Sequence, residues 1–237
     1  MTTHIQPGSC NFPDTDFSSY LTAEDIQILN RHKTCSTYKK GQIVFNEGNS
    51  PFGLYFLSHG SIKLWRETIK DKEVIIRLIK CGEIFGYRSL LSNEPYKASA
   101  TTLEDSIVCF YYKEDFVEVM NRNSTFTKQL LHLVASDMGE MEESIGSMAH
   151  KSIRERIAEK LIMLNNEFGI NQEGKIIINV LLSRKDMADI TGTTTEQISL
   201  FLSEFKKEGV ILFTEDKKIQ ILKLEKLIQM SKFNNTD

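Results

Sequence analysis

The 237-residue sequence is poor in the features that announce a function at once. No apolar run approaches the roughly 18 residues that a membrane helix needs, so no spanning segment is expected. The opening residues MTTHIQPGSCNF lack the apolar centre of a signal peptide, and a cytoplasmic chain is the expectation. Cysteine is scarce. Cys10, Cys35, Cys81 and Cys109 form no CxxC pair, which excludes the common zinc and dithiol motifs and leaves reduced thiols as the default. Strong charge is also missing: 29 Lys+Arg against 32 Asp+Glu give a net charge of −3. That balance excludes a polybasic chain of the kind that binds polyanions indiscriminately. There is no nucleophile–base pair, metal-ligand spacing or phosphate loop, so an enzyme is not expected.

What is present is patterned. Residues 1–20, rich in Ser, Asp and Pro, read as a loose arm. LTAEDIQILNRH (21–32) reads as a helix, with Thr22 and Asp25 spaced as a capping box. Between about 38 and 112, short β-rich runs alternate with glycine: QIVF (42–45), LYFL (54–57), SIKLW (61–65), VIIRLI (74–79) and SIVCFYY (106–112). Many short strands at short spacing suggest an antiparallel sandwich or barrel. Residues 126–148 then carry Phe126, Leu130, Val134, Met138, Met141, Ile145 and Met148 at intervals of 4, 4, 4, 3, 4 and 3. One long helix with a narrow apolar seam is expected, and such a seam suits homodimerisation or packing on the β-rich part.

The remainder is more basic: residues 151–237 hold 14 Lys+Arg and 13 Asp+Glu, against 15 and 19 in residues 1–150. A helix over 152–168, a strand KIIINV (175–180), helices over 183–191 and 194–208, a hairpin turned by TEDKK (214–218) and a short helix over 224–231 follow in order. This is the order of a winged helix-turn-helix. Ala188 lets the two helices approach, Gly192 supplies the turn and Ile198 anchors the second helix. Ser183 with Asp186, and Thr194 with Gln197, have capping spacing. At about 100° per residue, Ile198, Phe201, Leu202 and Phe205 share the inner face of the second helix, and Glu196, Ser199, Leu200 and Ser203 the outer. Thr194 and Thr195 open it. The base-reading candidates are therefore Thr194, Thr195, Glu196, Ser199 and Leu200. The stretch TGTTTEQISLFLSEF (191–205) contains no basic residue. Phosphate contacts fall to the helix N-terminus and to flanking Arg184, Lys185, Lys206, Lys207, Lys217 and Lys218.

KKGQIVFNEGNSPFGLYFLSHGSIKLW, CGEIFGYRSLLSNEPYKASATTLEDS and LSRKDMADITGTTTEQISLFLSEFKKEGVI, in that order, resemble the Crp/Fnr family of bacterial transcription regulators over roughly residues 21–230. The resemblance implies an α+β chain. It has an antiparallel β-roll of the cyclic-nucleotide-binding, jelly-roll-like type (21–125), a dimerisation helix and hinge (126–150) and a winged helix-turn-helix (151–237). Its dimer seam would be Leu130, Val134, Met138, Met141, Ile145 and Met148. Its partners would be a second copy, a two-fold symmetric duplex DNA operator and, for an activator, RNA polymerase, with no membrane. The effector pocket would involve Gly86, Tyr87, Arg88, Ser89, Lys97 and Ala98.

Departures from the family pattern narrow these expectations. The family's acidic ribose ligand is replaced by Tyr87 or Arg88, and its Arg-Ser phosphate pair by Lys97-Ala98, so cyclic AMP is not the expected effector. Lysine lacks the fork of arginine but still pairs with an anion. The four cysteines allow a four-thiolate site only by arithmetic, and Cys109 reads as buried packing. His4, Cys10, His32 and Cys35 suit a metal or haem by type, but not by spacing. The cofactor stays unknown and no metal is assigned. In the second helix Thr195-Glu196 stands for the family's Arg-Glu, and Leu200 for its second arginine. Glu196 suits a cytosine amino group and Leu200 a thymine methyl, which implies an operator unlike those of the best-known branches. The competing reading is a ligand-binding scaffold whose C-terminal domain binds protein.

Overall fold

The computed structural model describes residues 18–68 and 72–232. The arm expected over 1–20 lies outside them, apart from a 3-10 turn at Ser18–Tyr20, as do His4 and Cys10. The chain forms two compact units, one of Met1–Arg66 with Arg77–Gly139 and one of Glu67–Ile76 with Glu140–Asp237. No helix among the described residues is long and apolar enough to cross a membrane.

The first unit opens with α1 (Ala23–Asn30). Its capping box is complete: the Thr22 hydroxyl accepts from the Asp25 N–H (3.2 Å), and the Asp25 carboxylate accepts from the Thr22 N–H (2.9 Å). Strands β1 (Thr34–Tyr38), β2 (Ile43–Phe45), β3 (Gly53–His59), β4 (Ser61–Thr68), β5 (Lys72–Lys80) and β6 (Ile84–Phe85) follow. After them come α2 (Tyr87–Ser92), β7 (Ser99–Thr102), β8 (Ser106–Tyr112) and α3 (Lys113–Arg122). Two antiparallel four-stranded sheets result, ordered β1-β8-β3-β6 and β2-β7-β4-β5.

The apolar runs in β3 and β8 are nearly continuous because both faces of their sheet are covered. Leu54 and Phe56 of β3, with Ile107, Cys109 and Tyr111 of β8, enter one core with Ile28, Leu29, Phe116 and Val119. Leu57 and Val108 point the other way, into a second core with Phe45, Ile62, Ile79, Phe85 and Tyr96. Each such side chain contributes roughly 1.5–3 kcal/mol by leaving water. Gly60, between β3 and β4, has φ +95°, and an added Cβ there would collide with Ser106, so only glycine fits.

Strands β1 and β7 escape the sequence pattern. TCSTY and SATT hold few large apolar residues; β1 is an edge strand and β7 packs with small side chains. The pairing of β1 with β8 corrects the expectation of reduced thiols. Register sets Cys35 opposite Cys109, and the two form a disulfide. Their separation of 74 residues hides this from any local reading. The four-thiolate arrangement is overturned with it, since two of its sulfurs bond to each other and Cys81 stands exposed.

Helix α4 (Ser124–His150) has the seam divided. Phe126 and Leu130 are 0% and 1% exposed and belong to the first unit's core, so Leu130 leaves the candidate dimer face. Val134 is half-buried against the same core. Met138, Met141, Ile145 and Met148 remain exposed, joined by Leu131, which the seam reading omits.

The second unit holds α5 (Ile153–Phe168), β9 (Gly169–Gln172), β10 (Lys175–Ile178), α6 (Arg184–Thr191), α7 (Thr195–Lys207), β11 (Ile211–Phe213), β12 (Ile219–Ile221) and α8 (Leu224–Ser231). Its antiparallel sheet is ordered β11-β12-β10-β9. Every residue of β9 is exposed, which is why no apolar pattern marks it. It is paired to β10 through Glu173-Gly174, both at positive φ, the conformation of a tight two-residue hairpin. Of the face expected from Ile153, Ile157, Leu161 and Leu164 in α5, the last three are buried and Ile153 is half-buried.

Candidate nucleic-acid interface

Helix α6 starts at Ser183, whose hydroxyl and N–H complete a capping box with Asp186. It ends at Gly192, in the left-handed region at φ 70°, with the Gly192 N–H bonded to Ala188 O at 2.9 Å. Helix α7 starts at Thr194, whose hydroxyl accepts from the Gln197 N–H; the reciprocal half of the box is not formed. Local chemistry thus sets both helix starts and the turn between them.

The inner face of α7 is Ile198, Leu202 and Phe205, each 0% exposed, with Phe201 half-buried. Glu196, Ser199, Leu200 and Ser203 are exposed, as the helical periodicity expects. Leu200 is 51% exposed and takes no part in the buried inner face of α7. The Ser199 hydroxyl donates back to Thr195 O at 2.8 Å. The Thr194 side chain holds the Glu196 carboxyl below its ordinary range, helped by its own N–H and by the Thr195 hydroxyl at 3.2 Å. Glu196 is therefore an ionised acceptor at the positive end of α7. It satisfies charge at the very terminus that would otherwise attract a phosphate.

The six flanking cations divide. Arg184 stacks on Phe213 with its guanidinium 4.7 Å from the ring centroid, and burial lowers its pKa. Lys185 pairs with Asp189 at 3.1 Å. Lys218 donates to Asn179 Oδ1 at 2.6 Å. Lys206 and Lys207 stand exposed at the end of α7, and Lys217 at the β11–β12 turn with φ 61°.

Arg156 of α5 is a residue that no sequence pattern singles out. It donates to Lys151 O (2.9 Å), Thr191 O (3.2 Å) and Gly192 O (3.3 Å), tying the α6–α7 turn to the residue before α5's N-cap. Three carbonyls from two separate stretches meet one planar fork, a geometry visible only in the fold.

The residues assigned by resemblance to an effector pocket do not share one environment. Gly86, at φ 81°, precedes α2, and Tyr87 and Ser89 are buried, 3% and 4% exposed. Arg77 donates to the Tyr87 hydroxyl, which itself donates to Asp137 of α4. Burial, above all, raises the Tyr87 phenol far above its usual pKa. Arg88 and Lys97 are exposed instead and lie 3.7 and 4.0 Å from the Glu94 carboxylate. Ala98 is half-buried and offers no hydroxyl. Beside them Phe45, Tyr55, Phe85 and Tyr96 fill the inner core, with Phe45 stacked on Tyr96 at 4.0 Å between centroids. As for metals, no group of three or more His, Cys, Asp or Glu among the described residues could hold one. His32 bonds through Nδ1 to Asp115 (2.9 Å), and Cys35 is in the disulfide.

Two family models match the chain: a cyclic nucleotide-binding domain over residues 35–123 and a Crp-like helix-turn-helix domain over residues 155–230. The Anaerobic regulatory protein of Bacillus subtilis is 25% identical over 211 residues, covering 89% of each chain. The Cyclic AMP receptor protein of Thermus thermophilus is 25% identical over 191 residues, covering 81% of this chain and 85% of its own. The fold is similar to that of FixK2 from Bradyrhizobium japonicum, with a TM-score of 0.76 at 19% identity over 84% of this chain and 98% of that one.

Proposed function

The chain belongs to the Crp/Fnr family of DNA-binding transcription regulators, which are not enzymes, and on that premise we propose that it works as a homodimer reading a two-fold symmetric operator through paired α7 helices. The observation that carries this reading is the outer face of α7. A helix anchored by Ile198, Leu202 and Phe205 presents Glu196, Ser199 and Leu200 to the exterior with no core role for them. The apolar stripe Met138, Met141, Ile145 and Met148 supports a partner helix of the same sequence. Two half-sites about one helical turn of DNA apart, ~34 Å, suit such a dimer.

Glu196 selects cytosine and Leu200 a thymine methyl, while exposed Lys206, Lys207 and Lys217 take the main share of the phosphates. Arg184, Lys185 and Lys218 have protein partners and contribute less. The effector is not cyclic AMP: a carboxylate for the ribose and an Arg-Ser pair for the phosphate are replaced by buried Tyr87 and by Lys97-Ala98.

Selection of bound duplexes from a random library by the purified chain tests the proposal. An inverted repeat should be enriched, without a fixed guanine at the position opposite Leu200. No enrichment of any sequence, or a strict guanine there, would overturn it.

A further inference from the structure

The Cys35–Cys109 bridge has no part in the reading above, and its surroundings are unusual. Cys109 is 0% exposed, but Cys35 lies half-buried on β1, the edge strand of its sheet. Of the five residues of β1, only Cys35 and Tyr38 are even partly buried. Its ladder runs to β8 alone, from Thr34 opposite Phe110 to Tyr38 opposite Ser106. An edge strand with so little apolar burial opens more readily than a strand inside the sheet, and the cross-link opposes that opening. The sulfurs adjoin the core cluster that contains Phe126 and Leu130, with Leu133 and Val134 packed against it, all from the first turns of α4. A chain that works on DNA works where thiol buffers keep structural disulfides rare, and the bridges that do form there are transient or sensing.

We propose that Cys35 and Cys109 are a reversible thiol–disulfide site, and that the oxidised form, with β1 closed and the base of α4 firmly seated, is the DNA-competent one. The consequence for DNA rests on the function proposed above. The co-reactant is a low-molecular-weight disulfide such as glutathione disulfide. The accessible Cys35 thiolate attacks one reagent sulfur; the reagent's S–S bond breaks, a mixed disulfide forms and one glutathione leaves. The Cys109 thiolate then attacks Cys35 Sγ and expels the second glutathione. Two protein thiols are oxidised, one glutathione disulfide is reduced, and the two thiol protons end on the two glutathione molecules. The reverse sequence reopens the strand.

The test uses the full chain equilibrated in glutathione mixtures from fully reduced to fully oxidised. Thiols are quenched in acid, alkylated after denaturation and mapped by peptide mass. Hydrogen exchange is followed over residues 34–38 and 126–134, and affinity for a selected duplex is read by fluorescence anisotropy. The expected results are a 35–109 linked peptide that appears and disappears reversibly, loss of protection in both segments on reduction, and affinity at least about five-fold weaker when reduced, the lower end of ordinary allosteric coupling. Cys35→Ala should behave as the reduced form in every mixture, and Cys35→Ser serves if the alanine variant folds poorly. Cys81→Ser should keep the full response. Failure of the pair to link in glutathione disulfide alone, equal exchange and affinity in both states, or loss of the response in Cys81→Ser would each overturn the proposal. A chain that enriches no duplex would defeat the DNA reading, and the thiol map with exchange would still decide the redox site.

Discussion

The Tyr87 hydroxyl donates to the carboxylate of Asp137, and Arg77 reaches both groups at 2.8 Å. One polar cluster thus joins α2 to α4 inside the first unit, with Glu83 a further 3.7 Å from Arg77. Burial raises the phenol's pKa, so it stays a protonated donor throughout the physiological range. The resemblance makes this stretch of the chain an effector contact; here the fold itself supplies the partners.

Tyr87→Phe deletes that donor while keeping the ring. Asp137 keeps Arg77, so the expected loss is about 1.5–3 kcal/mol, the scale of a hydrogen bond to a charged group. Asp137→Ala should cost more, because it leaves the guanidinium with Glu83 as its remaining carboxylate; one-fifth exposure of Arg77 moderates the penalty. Urea unfolding midpoints of the two variants check the order, and equal midpoints to the parent chain would contradict the cluster's role.

Glu196→Ala should relax base preference more than it weakens overall binding. Loss of one direct base contact is worth about 1–3 kcal/mol of discrimination at one position. Lys206→Ala and Lys207→Ala should do the reverse, weakening all sequences alike and reducing the salt dependence. Leu200→Arg should create a guanine preference that the parent chain lacks. Selection experiments repeated with each variant, alongside affinity at two salt concentrations, separate these outcomes.

Ile145→Glu places a carboxylate in the exposed stripe of α4, where Ile145 is 68% exposed. In a two-fold interface each copy would face its own charge, and the lost apolar burial is roughly 1.5–3 kcal/mol per side chain. Sedimentation should show dissociation to monomers, accompanied by weaker binding to an inverted repeat. The same change at Leu130 should unfold the first unit rather than act on self-association, because that residue is 1% exposed in the core.

Asp25 gives the acid side of the stability profile. Burial works against its charge, but the Thr22 N–H (2.9 Å), Asn123 Nδ2 (2.8 Å), the Thr22 hydroxyl and Arg122 Nε (3.3 Å) outweigh it and lower the pKa from 3.8. A carboxyl with a depressed native pKa stabilises fully above the unfolded value and loses that contribution as pH falls through the native one. Unfolding midpoints should therefore drop below about pH 4, and Asp25→Asn should flatten this part of the profile while lowering stability at neutral pH. A parallel profile in the variant would contradict the assignment.

Much of the second unit was legible because its signals are local. Ser183 and Thr194 announce helix starts, Gly192 announces the turn, and Ile198, Leu202 and Phe205 announce the buried face, all within one or two helical turns. The apolar periods of α4 and α5 and the runs of β3 and β8 were legible for the same reason. Strands β1, β7 and β9 were not, because edge position, small side chains or full exposure leave no apolar alternation to read.

The sequence by itself determined the helices of the second unit and where α6 and α7 begin, the long run of α4, the apolar strands β3 and β8, and which outer residues α7 offers, since these follow from neighbours a few residues apart. Only the tertiary structure decided that Leu130 is core while Met138 is surface, that Arg184 stacks on Phe213, that Tyr87 meets Asp137 and that Cys35 meets Cys109. Each of these depends on strand register or on packing between elements far apart in the chain. A one-residue slip of β1 along β8 would move Cys35 to the other face and erase the bridge, while leaving every local pattern in the sequence unchanged.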